Sequence, residues 1–215
     1  MNLEKLQNRN PAMDILRIVA VLCVISIHFF YHTGYYSTTA DNVPMYFATV
    51  LRTLFSVCVP LFMILSGFLL CNKTLKKGYY SGIRKTIIVY ILVAIACIIY
   101  KSCNGSYTLT PLTFFMGIFD FTGANYSWYI EMYIGLFLII PFLNIIYKNL
   151  DSRKQKNILL ITLIAITILP SLFNAFKFDS YEWWANPATD TDTQKLMPSW
   201  WVGIYPITYY FTGWV

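Results

Sequence analysis

Four ionisable side chains lie in or at the ends of the first long apolar run of the chain. The stretch NPAMDILRIVAVLCVISIHFFYH contains Asp14, Arg17, His28 and His32 within a sequence otherwise typical of a membrane-spanning helix. Ionisable residues inside a bilayer are costly, and where they occur they are usually functional. A carboxylate, a permanent cation and two imidazoles can bind anions or move protons.

Helical geometry predicts that Arg17 and His28 share one face. They are eleven positions apart, which at about 100° per residue returns to nearly the same face and at about 1.5 Å per residue separates them by ~16 Å. A structural interpretation also stays open. Arg17 can extend to the cytoplasmic headgroups, and His28 can be a satisfied polar residue near the outer interface.

Asn10 and Pro11 are predicted to begin this helix, because Asn caps free N–H groups and Pro suits the first helical position. Asp14 then falls in the first turn or so. It is open to two interpretations, a favourable interaction with the helix dipole and with Arg17, or a functional role.

The chain has two histidines, His28 and His32, so any imidazole chemistry must use this helix end. Their HxxxH spacing can place two metal ligands on one helix face. No third ligand follows at a suitable spacing, and we therefore expect no metal site.

The composition is that of an integral membrane protein. Hydrophobic residues make up 57% of the chain and charged residues 12%, whereas soluble domains carry about 25% charged residues.

Against a requirement of roughly 17–25 apolar residues, six segments are predicted to cross or enter a bilayer: residues 12–31, 47–71, 83–100, 128–147, 158–173 and 200–215. The run LTPLTFFMGIFDF is too short to span, and we expect it to be interfacial or re-entrant. The predicted fold class is an all-α polytopic transmembrane helix bundle.

Loop charge predicts the orientation in the cell membrane. Basic residues cluster in three segments, which contain Lys5 and Arg9; Lys73, Lys76, Lys77, Arg84 and Lys85; and Lys148, Arg153, Lys154 and Lys156. The alternate loops contain almost none, so the positive-inside rule places the N-terminus in the cytoplasm. The net charge of +6 is thus a topology signal beside an anionic membrane surface, and we expect no nucleic-acid partner.

Four motifs in sequence order resemble the acyltransferase family 3 membrane proteins. RIVAVLCVISIH matches the family's pattern of arginine or lysine, ten residues, then histidine, from Arg17 to His28, with Asp14 in the usual preceding position. VPLFMILSGFLL resembles the end of the family's second helix, SWYIEMYIGLFLIIPFL its tryptophan-aromatic helix, and IYPITYYFTGW a later helix start. Members of the family transfer acyl groups, commonly acetyl, from cytoplasmic acyl-coenzyme A to extracytoplasmic sugars or related acceptors.

The resemblance implies roles for the polar residues. His28 would be the base or the acyl-accepting group, and Arg17, with Asp14 beside it, would bind a donor phosphate or orient the thioester arm. Glu131 is predicted in the outer part of the fourth helix at a depth similar to His28. It would either orient the imidazole or be an exposed interfacial carboxylate.

Two features depart from the family pattern. Gly82 takes the place of the first arginine in the RxxR pair that often follows the second helix, which leaves Arg84 and Lys85 as candidate donor-binding cations. Family members usually have about ten helices. We therefore expect residues 1–215 to be a single acyltransferase-3-like domain that forms an N-terminal portion of that fold.

The resulting prediction is a membrane O-acyltransferase that uses acyl-coenzyme A and a saccharide or lipid-linked acceptor, surrounded by membrane lipids. Two other classes stay open, a transporter or flippase in which Arg17 and His28 line a pathway without chemistry, and a structural membrane subunit. Ser66 and Gly67 favour close helix packing over a catalytic serine. The aromatic clusters YEWWANP and SWWVGIYP favour an interfacial belt over a sugar platform.

Overall fold

The computed structural model describes residues 10–175, 177 and 194–214. Its helices are α1 (Pro11–His32), α2 (Val43–Phe55), α3 (Cys58–Leu70), α4 (Arg84–Cys103), α5 (Pro111–Phe119), α6 (Trp128–Lys148), α7 (Arg153–Leu163), α8 (Leu169–Phe173) and α9 (Tyr205–Thr212). Short 3₁₀ helices cover Tyr35–Ser37, Tyr79–Ile83 and Val202–Ile204, and a π-helical segment, Ile164–Ile168, joins α7 to α8. These residues contain no strand, so the predicted all-α class is confirmed. The basic residues Lys5 and Arg9 and the YEWWANP cluster lie outside the described residues.

Five helical stretches of the described chain are long and apolar enough to cross a membrane. They are Pro11–Ser37, Val43–Leu70, Tyr79–Cys103, Trp128–Lys148 and Arg153–Phe173, and they coincide with the first five predicted segments. The sixth segment yields α9 with only eight residues, about 12 Å of helix at 1.5 Å per residue. The nine residues of α5 are likewise too few to span, as predicted. The chain is a multi-pass membrane protein.

The second predicted span is two helices, because the helix breaks at Ser56 and Val57. Pro60 lacks an N–H, and a proline ring crowds the carbonyl four residues earlier, which here belongs to Ser56. Pro170 has the same relation to the π-helical segment Ile164–Ile168 that precedes it. Prolines thus determine where these two spans depart from regular α-helix.

The described residues fall into two compact units, one within Met1–Cys71 and Ser152–Val215 and one of Asn72–Asp151. In the first unit, α3 packs against both α1 and α9. Gly67 of α3 and Gly213 after α9 meet where these two segments cross. A Cβ at Gly67 would collide with the carbonyl group of Tyr210, and one at Gly213 with the carbonyl oxygen of Ile64. This close approach supports the packing interpretation of the Ser66 and Gly67 motif.

In the second unit, the segment from α5 to the start of α6 folds back along α4. The Tyr90 hydroxyl donates to the backbone oxygen of Ile118 at 2.6 Å, and the Tyr90 ring stacks on Phe121 with centroids 4.5 Å apart. Lys101 Nζ donates to the backbone oxygen of Gly123 at 2.9 Å. Tyr90 also packs with Ala94 and Ala124 in a buried apolar cluster. The short helix thus returns along its predecessor, and its interfacial or re-entrant position in the membrane stays a prediction.

Candidate functional site

Helix α1 carries the predicted donor-binding residue Arg17 and the predicted catalytic residue His28 on one unbroken element. The Asn10 side chain accepts a hydrogen bond from the Ala12 N–H at 3.0 Å, and Pro11 is the first helical residue, which confirms the predicted helix start. The helix continues for 22 residues to His32. Arg17 and His28 therefore keep nearly the same face and a separation along the axis of ~16 Å.

Asp14 and Arg17 form an ion pair in the first two turns of α1. Arg17 Nη1 donates to Asp14 Oδ1 at 2.8 Å, and the two side chains are 44% and 25% exposed. A guanidinium has about five N–H donors, so this contact leaves most of them for a further anion. Exposed pairs of this kind contribute only ~0–1 kcal/mol.

His28 and His32 differ in their surroundings. His28 is half-buried, whereas His32 is exposed at the helix end. The His32 ring makes an edge contact with Tyr31, with centroids 5.3 Å apart. Within residues 10–175, 177 and 194–214, no group of three His, Cys, Asp or Glu side chains is placed to hold a metal ion.

Three further predicted site residues belong to the second compact unit. Glu131 is exposed in the first turn of α6, where a carboxylate interacts favourably with the helix dipole. Arg84 and Lys85 are exposed and are the first two residues of α4. His28 and Glu131 lie in different units, and the alternative in which Glu131 orients the imidazole stays a prediction.

A cavity in the second unit was not predicted from the sequence. It has a volume of about 430 Å³, and its lining includes Lys85 but not the neighbouring Arg84. One wall is the first half of α4 and the other is residues 124–127 with Ile130. The sequence signals for the fold-back that forms this cavity are Tyr90 and Lys101, two polar residues in the otherwise apolar helix α4. Both donate hydrogen bonds to backbone carbonyls that lie far away in sequence.

A comparison with known protein families finds a match that covers nearly the whole chain. A family model described as an acyltransferase domain matches residues 10–215. The match includes α1 with Arg17 and His28, and both compact units. No curated protein and no solved structure matches the chain.

Proposed function

The chain belongs to acyltransferase family 3, and on that premise we propose that it transfers an acyl group, in the first instance acetyl, from acyl-coenzyme A to a saccharide hydroxyl. The donor binds from the cytoplasm, and the acceptor is an extracytoplasmic or lipid-linked saccharide. The protein lies in the cell membrane with its N-terminus in the cytoplasm. The observation that carries this proposal is the unbroken helix α1, which keeps Arg17 and His28 on one face.

His28 performs the proton transfers of the reaction. Its neutral imidazole takes the proton from the acceptor hydroxyl while the hydroxyl oxygen attacks the thioester carbonyl carbon. The tetrahedral intermediate then collapses, the C–S bond breaks, and the imidazolium returns its proton to the departing coenzyme A sulfur. The products are the acyl ester and free coenzyme A. In the alternative mechanism, the acyl group is transferred first to His28 and then to the acceptor. This mechanism also requires a neutral imidazole.

Arg17 binds a phosphate of the donor at the other end of the same helix face. An arginine fork suits phosphate oxygens, and charge-assisted hydrogen bonds are about twice as strong as neutral ones. Asp14 holds one guanidinium nitrogen at 2.8 Å and so orients the rest of the group. The separation of ~16 Å along α1 is of the order covered by the extended arm between the phosphates and the thioester of coenzyme A.

The test is acyl transfer by the purified chain in lipid nanodiscs, with labelled acetyl-coenzyme A and a membrane saccharide extract as the acceptor. His28→Ala is expected to lower the rate by at least ~100-fold, because general acid–base groups contribute 10²–10⁴-fold. His32→Ala is the matched control, an exposed imidazole one turn further along α1, and we expect it to change the rate less than about tenfold by the same scale.

Two results would contradict the assignment. Full activity in His28→Ala would remove the imidazole from the chemistry. Equal losses in the two histidine variants, together with a stoichiometric bound metal, would replace the base by an HxxxH metal site.

A further inference from the structure

The cavity beside α4 is large enough to hold a ligand. Its volume of about 430 Å³ falls in the ~300–1,000 Å³ range of ligand-binding pockets. Lys85 and Thr86 stand at one end, and Val89, Tyr90 and Val93 continue the same wall along α4.

This wall changes from charged to apolar along the axis of a membrane span. Lys85 is the second residue of α4, near the start of the candidate span Tyr79–Cys103. Val89 and Val93 are four and eight positions further, which at 1.5 Å per residue places them about 6 Å and 12 Å deeper. Both valines are about half exposed, at 50% and 49%. The cavity thus has a cation at headgroup level and an open apolar wall toward the hydrocarbon.

Two hydroxyl groups of the cavity lining, one on each wall, are already bonded within the protein. The buried Ser127 hydroxyl donates to the backbone oxygen of Ala124, and the Tyr90 hydroxyl donates to that of Ile118. In the part of the chain that the structure describes, Lys85 has neither an ion pair nor a hydrogen bond. What the cavity offers to a ligand is therefore mainly apolar surface and one ammonium group, beside the Thr86 hydroxyl and the Asn125 side chain.

We propose that this cavity binds one acyl chain of an anionic phospholipid, with the lipid phosphate at Lys85 Nζ and the chain along Val89 and Val93. The positive charge of Lys85 beside an apolar wall favours this occupant over two others. A lipid without net negative charge leaves the added charge of the ammonium uncompensated, and a soluble phosphate leaves the apolar wall uncovered. Basic residues at a membrane surface recruit anionic headgroups in the same way. The proposal departs from the expectation that Lys85 binds the acyl donor, and binding of palmitoyl-coenzyme A separates the two assignments.

The test is native mass spectrometry of the purified full chain, titrated with phosphatidylglycerol or with phosphatidylcholine of the same chains. Lys85→Gln is expected to weaken phosphatidylglycerol binding about fivefold, the factor that corresponds to ~1 kcal/mol for one lysine near an anionic surface. Arg84→Gln is the matched control, because it removes the same charge from the next residue, which does not line the cavity. We expect less than a twofold change there.

A second pair of variants tests the chain-binding wall. Val93→Trp fills the cavity and is expected to abolish the preference for phosphatidylglycerol. Leu92→Trp adds the same ring one residue away, at a position that is 62% exposed and outside the lining, and should leave the preference intact. This pair also controls for effects of the ring on folding, since both variants are assayed after elution as a single species.

Three outcomes would overturn the proposal. Equal losses in Lys85→Gln and Arg84→Gln would indicate general attraction to surface charge. Unchanged binding in Val93→Trp would show that the lipid lies elsewhere. Tighter binding of palmitoyl-coenzyme A than of phosphatidylglycerol, weakened by Lys85→Gln and Val93→Trp but not by Arg84→Gln and Leu92→Trp, would assign the cavity to the acyl donor.

Discussion

Gly67→Ala is expected to destabilise the protein, because α3 and α9 cross at this glycine without space for a side chain. An added Cβ would meet the carbonyl oxygen of Tyr210, would lie 3.0 Å from its carbonyl carbon, and would lie 3.2 Å from Gly213 Cα. All three atoms belong to the backbone, so no side-chain rotation relieves the contact. The two segments must move apart for alanine to fit.

The size of the effect follows from two opposing terms. Overpacking a well-packed site costs typically 1–3 kcal/mol, and contacts with backbone place this site at about 3 kcal/mol. Alanine gains ~1 kcal/mol over glycine in helix propensity. The net loss is therefore about 2 kcal/mol. Gly135→Ala is the matched control, because Gly135 lies inside α6 with nothing within 4 Å of an added Cβ, and it should gain up to ~1 kcal/mol.

The measurement is unfolding of the purified chain by sodium dodecyl sulfate in mixed micelles, followed by tryptophan fluorescence and circular dichroism. Gly67→Ala should unfold at a lower detergent fraction than wild type, and Gly135→Ala at the same or a higher one. Gly213→Ala should resemble Gly67→Ala, and the double variant should lose less than the sum, since both open one crossing. Equal stability of Gly67→Ala and Gly135→Ala would refute the packing explanation.

Two further predictions concern donor binding and orientation. Arg17→Ala should raise the KM for acyl-coenzyme A by roughly 10–100-fold, with a smaller change in kcat, because charged hydrogen bonds of about 1.5–3 kcal/mol are lost. Asp14→Asn should raise the KM less than about tenfold, since the ion pair with Arg17 is weak. Steady-state kinetics measures both, and an unchanged KM in Arg17→Ala would remove Arg17 from the donor site. In a cysteine-free background, an impermeant maleimide should label Ser106→Cys on intact cells and Lys76→Cys only after permeabilisation; the reverse pattern would invert the proposed topology.

The helices were predictable wherever the signal is local. Asn10 and Pro11 determine the start of α1. Five of the six predicted segments coincide with candidate spans, because length and hydropathy alone decide whether a helix can cross a bilayer. The Asp14–Arg17 pair follows from i,i+3 spacing and was one of the two interpretations open for Asp14. The break before Cys58 also had a local signal in Pro60, which a window of mean hydropathy averages away.

The remaining features depend on contacts between distant parts of the chain. Nothing near Lys85 in sequence distinguishes it from Arg84, and only the fold-back of residues 104–127 makes one of them line a cavity. The pairing of Gly67 with Gly213 joins positions 146 apart, since 213 less 67 is 146. Each glycine by itself indicates close packing, but no periodicity tells which helix approaches it.

Lys101 has a consequence for how the chain is inserted during synthesis. It stands at the end of α4 opposite Arg84 and Lys85, and its ammonium donates to the backbone oxygens of Gly123 and Thr122 at 2.9 Å and 3.4 Å. Those carbonyls belong to a segment made after α4, so a nascent α4 has cations at both of its ends. The positive-inside rule predicts that the larger cluster at its first end sets the orientation. Once the later segment folds back, the Lys101 ammonium binds the backbone carbonyls of that segment and no longer interacts with the lipid headgroups.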